Sequence, residues 1–350
     1  MLNQILEQFG INALNYQIEE YGSGLINSTW KISGGKDYIL QRINTDVFKQ
    51  PEAIAENLSK LQFYLNTQYP DYLFVAPLLA LNGSSLAVNK DGIFRLFPFV
   101  GNSTSIDSVT IYKQAYEAAK QFSRFTFLLK DFDASELRDT IPSFHDLTLR
   151  YKEFEKASLN TTEARLEQAK WAISEINKHK DILSTYEELK KSGKLPVRVI
   201  HHDAKINNVL FDGDWNGICL IDLDTVMPGY FISDVGDMLR TYLSPANEDE
   251  TDLSKIVVDE QCFDAIYNGY LSEMGTELTA FEKDHFIYAG KFMIYMQALR
   301  FLSDYLNGDV YYHTTYAGQN LNRTNNQLTL LNQLINLEEK IQLTNHSSLK

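Results

Sequence analysis

Three oxygen-bearing side chains are expected to come together in the segment 199–229, where their spacing suggests a cation site. Two short apolar runs separated by a six-residue turn predict a β-hairpin in this segment. Asn208 precedes the first strand and Asp222 follows the second, so both lie at one end, beside the loop that carries Asp203. Carboxylate and carboxamide oxygens suit Mg²⁺, so we expect Asn208 and Asp222 to hold it, with Asp203 as a nearby base. Asp224 is either a further metal ligand or a loop cap.

The intervals within this segment are those of a phosphoryl-transfer loop. His201, Asp203 and Asn208 form the pattern H-x-D-x-x-x-x-N, in which the Asp accepts a hydroxyl proton and the Asn binds a metal. Lys205 stands where such loops carry a lysine that contacts the transferred phosphoryl group. Asp222 takes the place of the Asp in the kinase motif D-F-G. Plain turn chemistry is the alternative, but a turn requires neither this interval nor the second acid.

A glycine-rich turn near the N-terminus is a candidate phosphate-binding loop. It lies within residues 16–33, whose alternation of apolar and polar side chains predicts antiparallel strands. Gly22, Gly24 and Asn27 occupy the three glycine places of G-x-G-x-x-G, with Ser23 between the first two. The backbone amides of such a loop can face nucleotide phosphates. An ordinary hairpin turn is the alternative.

The next strand departs from the kinase pattern at the position of the phosphate-binding lysine. This chain has Gln41 there, followed by Arg42. Adjacent strand residues face opposite ways, so Arg42 reaches the phosphates only at a strand end or bulge, and a surface ion pair is the alternative. The helix that begins at Pro51 would supply an acid to this cation. Glu56 is better placed for that than Glu52, although a solvated helix face is equally consistent with the pattern.

The first lobe is expected to end in a hinge that contacts adenine. Apolar segments at 74–81 and 92–100 predict two further strands. Pro98 interrupts the second one, because proline cannot continue a central ladder. We therefore expect the backbone of Pro98, Phe99 and Val100 to contact the adenine ring.

The remaining pattern predicts an α+β chain with two lobes, arranged as in protein kinases. Residues 1–100 would form a small antiparallel sheet that binds nucleotide. Residues 101–350 would form a larger, mostly helical lobe with the catalytic hairpin, the metal site and the acceptor site. A long charged helix is predicted over 162–178.

Candidate acceptor-binding residues follow the catalytic segment. Asp234 has the place of a buried acid that steadies the catalytic loop, and Arg240 would meet the acceptor or form an ion pair. Arg300 and Asp304 share one helix face, four residues apart. The next loop, which includes Tyr312, is dense in hydroxyl, amide and aromatic groups. Such groups suit a carbohydrate, and an ordinary polar loop is the alternative.

Composition limits the classes of partner. The formal charge of −14 disfavours nucleic acid and anionic membranes, which both require a basic surface. Cys219 and Cys262 lie in apolar surroundings and are expected to be buried thiols, which suits a reducing cytoplasm. No secretion signal and no membrane-spanning run is predicted, so the expected location is cytoplasmic.

The chain resembles the aminoglycoside phosphotransferase superfamily, small-molecule relatives of the protein kinases. More narrowly, it is similar over nearly its whole length to N-acetylhexosamine 1-kinases. The strings that carry this likeness are YILQRIN, DVFKQPEA, HHDAKINNVLF, IDLDTVMPG, DVGDMLR and RFLSDYLNGDVYY. Two positions depart from the pattern: His202 replaces the glycine common in the wider superfamily, and Gln41 replaces the phosphate cation.

The resemblance implies ATP- and Mg²⁺-dependent phosphorylation of the anomeric hydroxyl of N-acetylglucosamine or N-acetylgalactosamine. Asp203 would accept the hydroxyl proton, and Lys205 with the glycine-rich loop would neutralise phosphate charge. Two alternatives stay open, a kinase of another alcohol such as an aminoglycoside, and a nucleotide-binding module without catalysis. The sequence is compatible with a monomer.

Overall fold

The N-terminal part of the chain forms an antiparallel sheet. The computed structural model describes residues 2–22 and 26–347, and only the backbone of 344–347. Five strands run in the order β1-β2-β3-β5-β4. Their bounds are β1 Gln17–Glu20, β2 Ser28–Ser33, β3 Tyr38–Arg42, β4 Ala87–Asn89 and β5 Gly92–Pro98.

Strands β2 and β3 form the hairpin that the alternating pattern predicts. The turn includes Gly34 and Gly35, and the Asp37 carboxylate accepts the N–H of Gly34 at 3.1 Å. Helix α1, Leu2–Gln8, contributes two apolar side chains to the cluster that the sheet buries. This sheet core consists of Ile5, Leu6, Ile11, Ile32, Leu40, Ala87, Phe94 and Leu96.

The strand predicted over 74–81 is wrong, because this segment is extended but forms no ladder. Pro77 has no N–H to donate, so regular pairing is interrupted there. A single bond, from the Leu78 N–H to the Leu96 carbonyl oxygen at 2.7 Å, joins its middle to β5. Apolar alternation alone therefore did not separate a strand from a chain segment that packs beside one.

Helix α2, Pro51–Gln68, packs into the larger lobe although it follows β3 in the chain. Its apolar side chains, among them Leu58 and Leu61, belong to the large helical core. The Asn57 amide donates to the carbonyl oxygens of Arg138 at 2.8 Å and Val226 at 3.1 Å. The division at residue 100 stays a prediction, but the buried face of α2 lies on the C-terminal side of the interface between the lobes.

The larger lobe is mostly helical and surrounds α11, whose side chains are buried along most of its length. Helix α11 packs against α4, α8 and α12. In the described ranges, no helix combines the length and apolar character needed to cross a membrane. The helices are α3 Tyr112–Leu128, α4 Leu147–Asn160, α5 Glu163–Gln168, α6 Lys170–Lys178, α7 Asp181–Ser192, α8 Phe231–Tyr242, α9 Glu260–Met274, α10 Ala280–Asp284, α11 Phe286–Leu306 and α12 Gln319–Ser347.

The helix predicted over 162–178 is divided into α5 and α6 at Ala169. Ala169 leaves helical geometry at φ −87° and ψ 4°, and it is fully buried. The break lets Arg165 of α5 bond the carbonyl oxygen of Tyr305 while α6 buries Ile176 in the core. Tertiary packing therefore overrides the continuous helical pattern.

The α+β prediction is confirmed, and short strands within the helical lobe position the catalytic segment. Strand β6, Arg198–Ile200, pairs with β9, Met227–Gly229, and β7, Val209–Phe211, pairs with β8, Gly217–Leu220. The β7–β8 pair is the predicted hairpin. Its outgoing and returning ends meet beside the loop that follows β6.

Both cysteines are buried free thiols, as predicted. Cys219 lies on β8 and Cys262 on α9. Burial raises the pKa of each thiol to about 12. Both side chains are therefore protonated and unreactive at neutral pH.

Gly269 sets the close approach of α9 to α3. A methyl group at this position would overlap the carbonyl oxygen of Tyr116 on α3. Alanine favours a helix interior, but forced separation of the helices should dominate, so Gly269→Ala should lower the free energy of unfolding by about 1 to 3 kcal/mol. Urea denaturation measures this loss. Gly35→Ala, where a methyl group would meet no atom within 4 Å, is the control, and an equal loss in both variants would contradict the packing argument.

Candidate active site

The predicted catalytic side chains come together in the loop after β6. The Asn208 amide nitrogen donates to the Asp203 carboxylate at 2.9 Å and to the Asp203 carbonyl oxygen at 2.8 Å. The Lys205 ammonium lies 3.0 Å from the other carboxylate oxygen of Asp203. The Ile221 N–H donates to the Asn208 carbonyl oxygen at 2.9 Å, so the residue before Asp222 is bonded directly to this cluster.

Asp234, on the first turn of α8, fixes the backbone of this loop. One carboxylate oxygen accepts the N–H of His201 at 2.9 Å and the other accepts the N–H of His202 at 2.7 Å. These bonds hold His202 at φ 66°, a left-handed conformation that glycine adopts without strain. They match the steadying role predicted for Asp234 and explain physically why a glycine suits position 202.

The charges around Asp203 favour its ionised form. Burial alone would raise the pKa of Asp203, but Lys205, His201 and Asn208 together lower it below its ordinary value. The carboxylate is therefore ready to accept a hydrogen bond or a proton at neutral pH. The pKa of Lys205 is raised, mainly by Asp203, so the lysine stays positively charged.

Asp222 has the chemistry of a cation ligand. Burial, and after it the neighbouring carboxylates of Asp224 and Asp203, raise the pKa of Asp222 to about 7. Its backbone is left-handed, at φ 57° and ψ 54°, a conformation that is uncommon for residues other than glycine and recurs at functional sites. The side-chain nitrogen of Asn208 donates to Asp203, so the side-chain oxygen of Asn208 is not used in that bond. These oxygens fit a divalent cation, whose charge would relieve the crowding of carboxylates.

Asp224 is engaged by an arginine that the sequence analysis did not select. Arg95 on β5 forms a two-pronged ion pair with both carboxylate oxygens of Asp224. The Asn27 amide also donates to Asp224 at 2.9 Å. In this arrangement the Asp224 carboxylate is bonded to side chains and is neither a free metal ligand nor a loop cap, so metal binding by Asp224 would require the pair with Arg95 to open. The available signal was a single charged residue within the apolar strand segment GIFRLF.

The glycine-rich turn is described only in part. Gly22 has φ 80° and lines the cavity between the lobes, whereas the predicted phosphate contacts Ser23 and Gly24 lie outside the described residues. The Asn27 side-chain oxygen accepts the N–H of Asn44 at 3.0 Å. With its amide bonded to Asp224, Asn27 connects this turn to the segment that carries the predicted metal ligands, and it does not line the cavity.

Arg42 and Glu56 do not form the predicted pair. The exposed Arg42 guanidinium donates to the Ser28 hydroxyl at 3.2 Å, while Gln41, facing the other way, lines the cavity. Glu56 forms an ion pair with Arg138 at 3.0 Å, and its side chain is 52% exposed. The reason is the orientation of α2, which turns towards the helical lobe. Glu56 therefore lies on a solvated helix face, the alternative named for it, whereas Arg42 makes a surface hydrogen bond and not the surface ion pair named as its alternative.

A cavity of about 500 Å³ lies between the sheet and the catalytic loop. Pro98, Phe99 and Val100 line one side of it, where the adenine contact is predicted. Asn208 and Asp222 also line it. The cavity thus connects the predicted hinge to the predicted metal ligands.

The predicted acceptor residues have different surroundings. Buried Arg240 forms ion pairs with Asp237 at 2.9 Å and Glu248 at 3.1 Å, the second of its predicted alternatives. The carboxylate of Asp304 is internal to its loop, because it accepts the backbone N–H groups at 310, 311 and 312 and the Asn320 amide. Asp304 therefore shapes the loop that carries Tyr312.

Successive contacts between side-chain rings connect Arg300 and Tyr312 to the catalytic loop. The Arg300 guanidinium lies 5.6 Å from the ring centres of both Tyr312 and Phe144. Phe144 stacks on His145 at 4.3 Å, and His145 contacts His202, the neighbour of Asp203. Phe144 and His145 were not selected from the sequence as acceptor-side residues.

His145 and His202 form a neutral imidazole pair. The His202 Nε2 atom lies 3.3 Å from the Pro228 carbonyl oxygen and so carries the proton. Its Nδ1 atom then accepts from the Nδ1–H of His145 at 3.4 Å. Burial lowers the pKa of His202 to about 4, and burial next to His202 and Arg300 lowers the pKa of His145.

This pair predicts a loss of stability in mild acid. Below about pH 6.5 the unfolded chain binds protons that the folded pair rejects, so stability present above that pH is lost as the pH falls towards 4. Each histidine adds at most about 1.4 kcal/mol per pH unit to this slope. His145→Gln should flatten the slope between pH 7 and 5 in urea titrations, whereas His313→Gln, which removes an exposed imidazole, should not. Equal slopes in wild type and His145→Gln would contradict the assignment.

Comparison with known proteins is consistent with this geometry. The sequence profile of the family described as "Phosphotransferase enzyme family" matches residues 17–264. An aminoglycoside phosphotransferase from Alicyclobacillus acidocaldarius has 14% identity and a TM-score of 0.66, covering 97% of this chain and 96% of its own. A spectinomycin phosphotransferase with bound ADP and spectinomycin has 14% identity, a TM-score of 0.59 and coverage of 94% and 96%. An amicoumacin kinase with AMP-PNP and Ca²⁺ has 13% identity, a TM-score of 0.60 and coverage of 90% and 88%.

These likenesses confirm the predicted protein-kinase-like fold and the superfamily that the sequence resembles. The family match covers more than half of the chain and includes β2, β3 and the complete catalytic segment. The chain belongs to the phosphotransferase enzyme family.

Proposed function

We propose that this phosphotransferase moves the γ-phosphoryl group of ATP to an alcohol of a small molecule, namely the anomeric hydroxyl of N-acetylglucosamine or N-acetylgalactosamine. The observation that carries the proposal is the bonded cluster of Asp203, Lys205 and Asn208 next to Asp222 at the interlobe cavity. The bound ADP and AMP-PNP of the structural neighbours support the nucleotide. The sugar rests on the acceptor-side strings and on the groups around Arg300.

Asp203 is the proposed base. Its ionised carboxylate accepts a hydrogen bond from the acceptor hydroxyl, aligns the oxygen and takes its proton as the new bond forms. Lys205 neutralises charge that develops on the transferred group, and Asp234 keeps the loop in place. No covalent enzyme intermediate is needed, so catalysis comes from positioning and charge.

Asn208 and Asp222 would hold Mg²⁺, which supplies positive charge to the nucleotide phosphates when it is bound. The raised pKa of Asp222 and the carboxylates around it support this assignment. The Ca²⁺ bound in the amicoumacin kinase supports a divalent cation in general.

The acceptor side favours a neutral polyol over a polycation. Arg300 supplies positive charge there, and the acids Asp237 and Asp304 are already bonded within the protein. The Gln297 amide, which donates to the Tyr312 hydroxyl at 3.3 Å, supplies further polar groups beside an aromatic surface. Aromatic faces with amide and guanidinium groups suit sugar rings, whereas an aminoglycoside needs unpaired carboxylates.

The test measures ADP release with Mg-ATP and one acceptor at a time, with phosphorus NMR on any product. The acceptors are N-acetylglucosamine, N-acetylgalactosamine, glucose, galactose and one aminoglycoside. Phosphate on the anomeric carbon of an N-acetylhexosamine is the expected result. Activity confined to the aminoglycoside would overturn the sugar, and nucleotide binding without transfer to any acceptor would favour a non-catalytic module.

Arg300→Met tests the acceptor side separately. It should raise the KM for the sugar by about 10- to 100-fold, because a charged hydrogen-bond donor is lost, and leave the KM for ATP unchanged. Arg124→Met, at a surface arginine 3.8 Å from Glu273, is the matched control. An unchanged sugar KM in Arg300→Met would remove Arg300 from the acceptor site.

A further inference from the structure

Gln41 occupies the position of the phosphate-binding lysine of kinases, and a buried arginine lies directly behind it. Gln41 on β3 is paired in register with Arg95 on β5. The Gln41 side-chain oxygen accepts two bonds from Arg95, from Nη2 at 2.9 Å and from Nε at 3.2 Å. Its amide nitrogen lies 3.3 Å from the Thr29 hydroxyl, and Gln41 and Thr29 both line the interlobe cavity.

These bonds fix which end of the Gln41 amide faces the cavity. The oxygen is held by the guanidinium, which has no acceptor to offer, so the amide cannot turn over without losing both bonds. The NH₂ group therefore lies on the Thr29 side. A donor group of this kind suits an anionic oxygen, and the buried positive charge of Arg95 strengthens the donor through the low-dielectric interior.

Arg95 itself is not placed to contact a ligand. Its side chain is 1% exposed. Four of its five N–H groups are accounted for, two by the Gln41 oxygen and two by the Asp224 carboxylate. Direct binding of phosphate by Arg95 would break the ion pair with Asp224. Arg95 thus acts through Gln41 as a positioning residue.

We propose that Gln41 binds the polyphosphate of a nucleoside di- or triphosphate through its NH₂ group, oriented and polarised by Arg95. A neutral amide on β3 and a cation on β5 together replace the single lysine of kinases. The inference rests on the proposed nucleotide site but not on the identity of the acceptor. With Gln41 and Arg95 in this role, Arg42 is not required for phosphate binding, which agrees with its exposed contact with Ser28.

Gln41→Glu is the sharpest variant. It preserves the shape of the side chain and can still pair with Arg95, so the fold is retained, but it turns a carboxylate oxygen towards the phosphates. Calorimetry should show that the affinities for Mg-ATP and Mg-ADP fall by about 10- to 100-fold, because a hydrogen bond to a charged group is lost. The affinity for adenosine, which has no phosphate, should not change. Gln41→Leu should give the same pattern.

Arg95→Gln tests the positioning role. This variant should lower the affinities for Mg-ATP and Mg-ADP but not the affinity for adenosine. Adding Gln41→Lys should recover part of the lost affinity, because the positive charge is then moved from β5 to β3, beside Asp224. Arg198→Met, which removes a partly buried arginine paired with the buried Glu282 in the helical lobe, is the control for a general loss of stability. It should lower the Tm without changing the three affinities.

Several outcomes would overturn the inference. Equal losses for adenosine and ATP in Gln41→Glu would mean a general change of cavity shape, and unchanged ATP affinity would mean that Gln41 does not contact phosphate. Loss of phosphate affinity in Arg42→Met but not in Gln41→Leu would assign the role to Arg42. A wild-type protein that binds none of the three ligands would overturn the nucleotide site itself, which is a different failure.

Discussion

Replacing Asp203 with asparagine should lower kcat by about 10²- to 10⁴-fold, the usual contribution of a general base. The side chain keeps its shape, and its backbone carbonyl still accepts from Asn208. The amide, however, can neither take a proton nor balance the charge of Lys205. The affinity for Mg-ATP should change little, because the interlobe cavity is lined by other residues.

Steady-state ADP release and ATP calorimetry on the same preparation separate these two effects. Asp212→Asn is the matched control, because Asp212 caps the turn of the catalytic hairpin through bonds to Asp214 and Asn216. It should leave turnover near wild type. Normal turnover in Asp203→Asn would refute the base assignment, whereas loss of ATP binding would point to damage of the cavity.

Arg95→Met should be the most destabilising single change near the site. It leaves the Asp224 carboxylate buried, 2% exposed, without its cation and close to Asp222. Removal of one partner of a buried ion pair typically costs about 3 to 5 kcal/mol of unfolding free energy. Urea denaturation without nucleotide or metal measures this loss.

The double variant Arg95→Met with Asp224→Asn is the informative comparison. Neutralising Asp224 removes the unpaired charge, so much of the stability should return, as it does when both partners of a buried pair are replaced. A double variant no more stable than Arg95→Met would show that packing of the arginine, rather than its charge, stabilises the interface between the lobes.

The catalytic segment was predictable because its geometry is local. Asp203, Asn208 and Asp222 are joined by one hairpin, whose turn and strand lengths fix which side chains meet. Such relations depend on short stretches of chain and therefore leave a pattern in the sequence. The steadying role of Asp234 was predicted from its likeness to the buried acid of the kinase fold, not from local geometry.

The Arg95–Asp224 pair was not predictable in this way. The two residues are 129 positions apart, and they meet only because the sheet docks on the catalytic lobe. The partner of Glu56 was not predictable for the same reason. The sequence of α2 places an acid on one helix face, but it does not indicate which lobe that face contacts. The break at Ala169 likewise depends on packing between distant elements.

The two hydrophobic cores differ greatly in size, so we expect them to differ in the free energy of local unfolding. The sheet core has eight buried side chains, whereas the helical core extends from α2 to α12. The free energy of local opening grows with buried apolar contact, so the backbone amides of β1 to β5 should exchange hydrogen with solvent sooner than those of α11. The interlobe cavity lies against this sheet, so a ligand bound in the cavity should stabilise the sheet and slow the hydrogen exchange of its backbone amides.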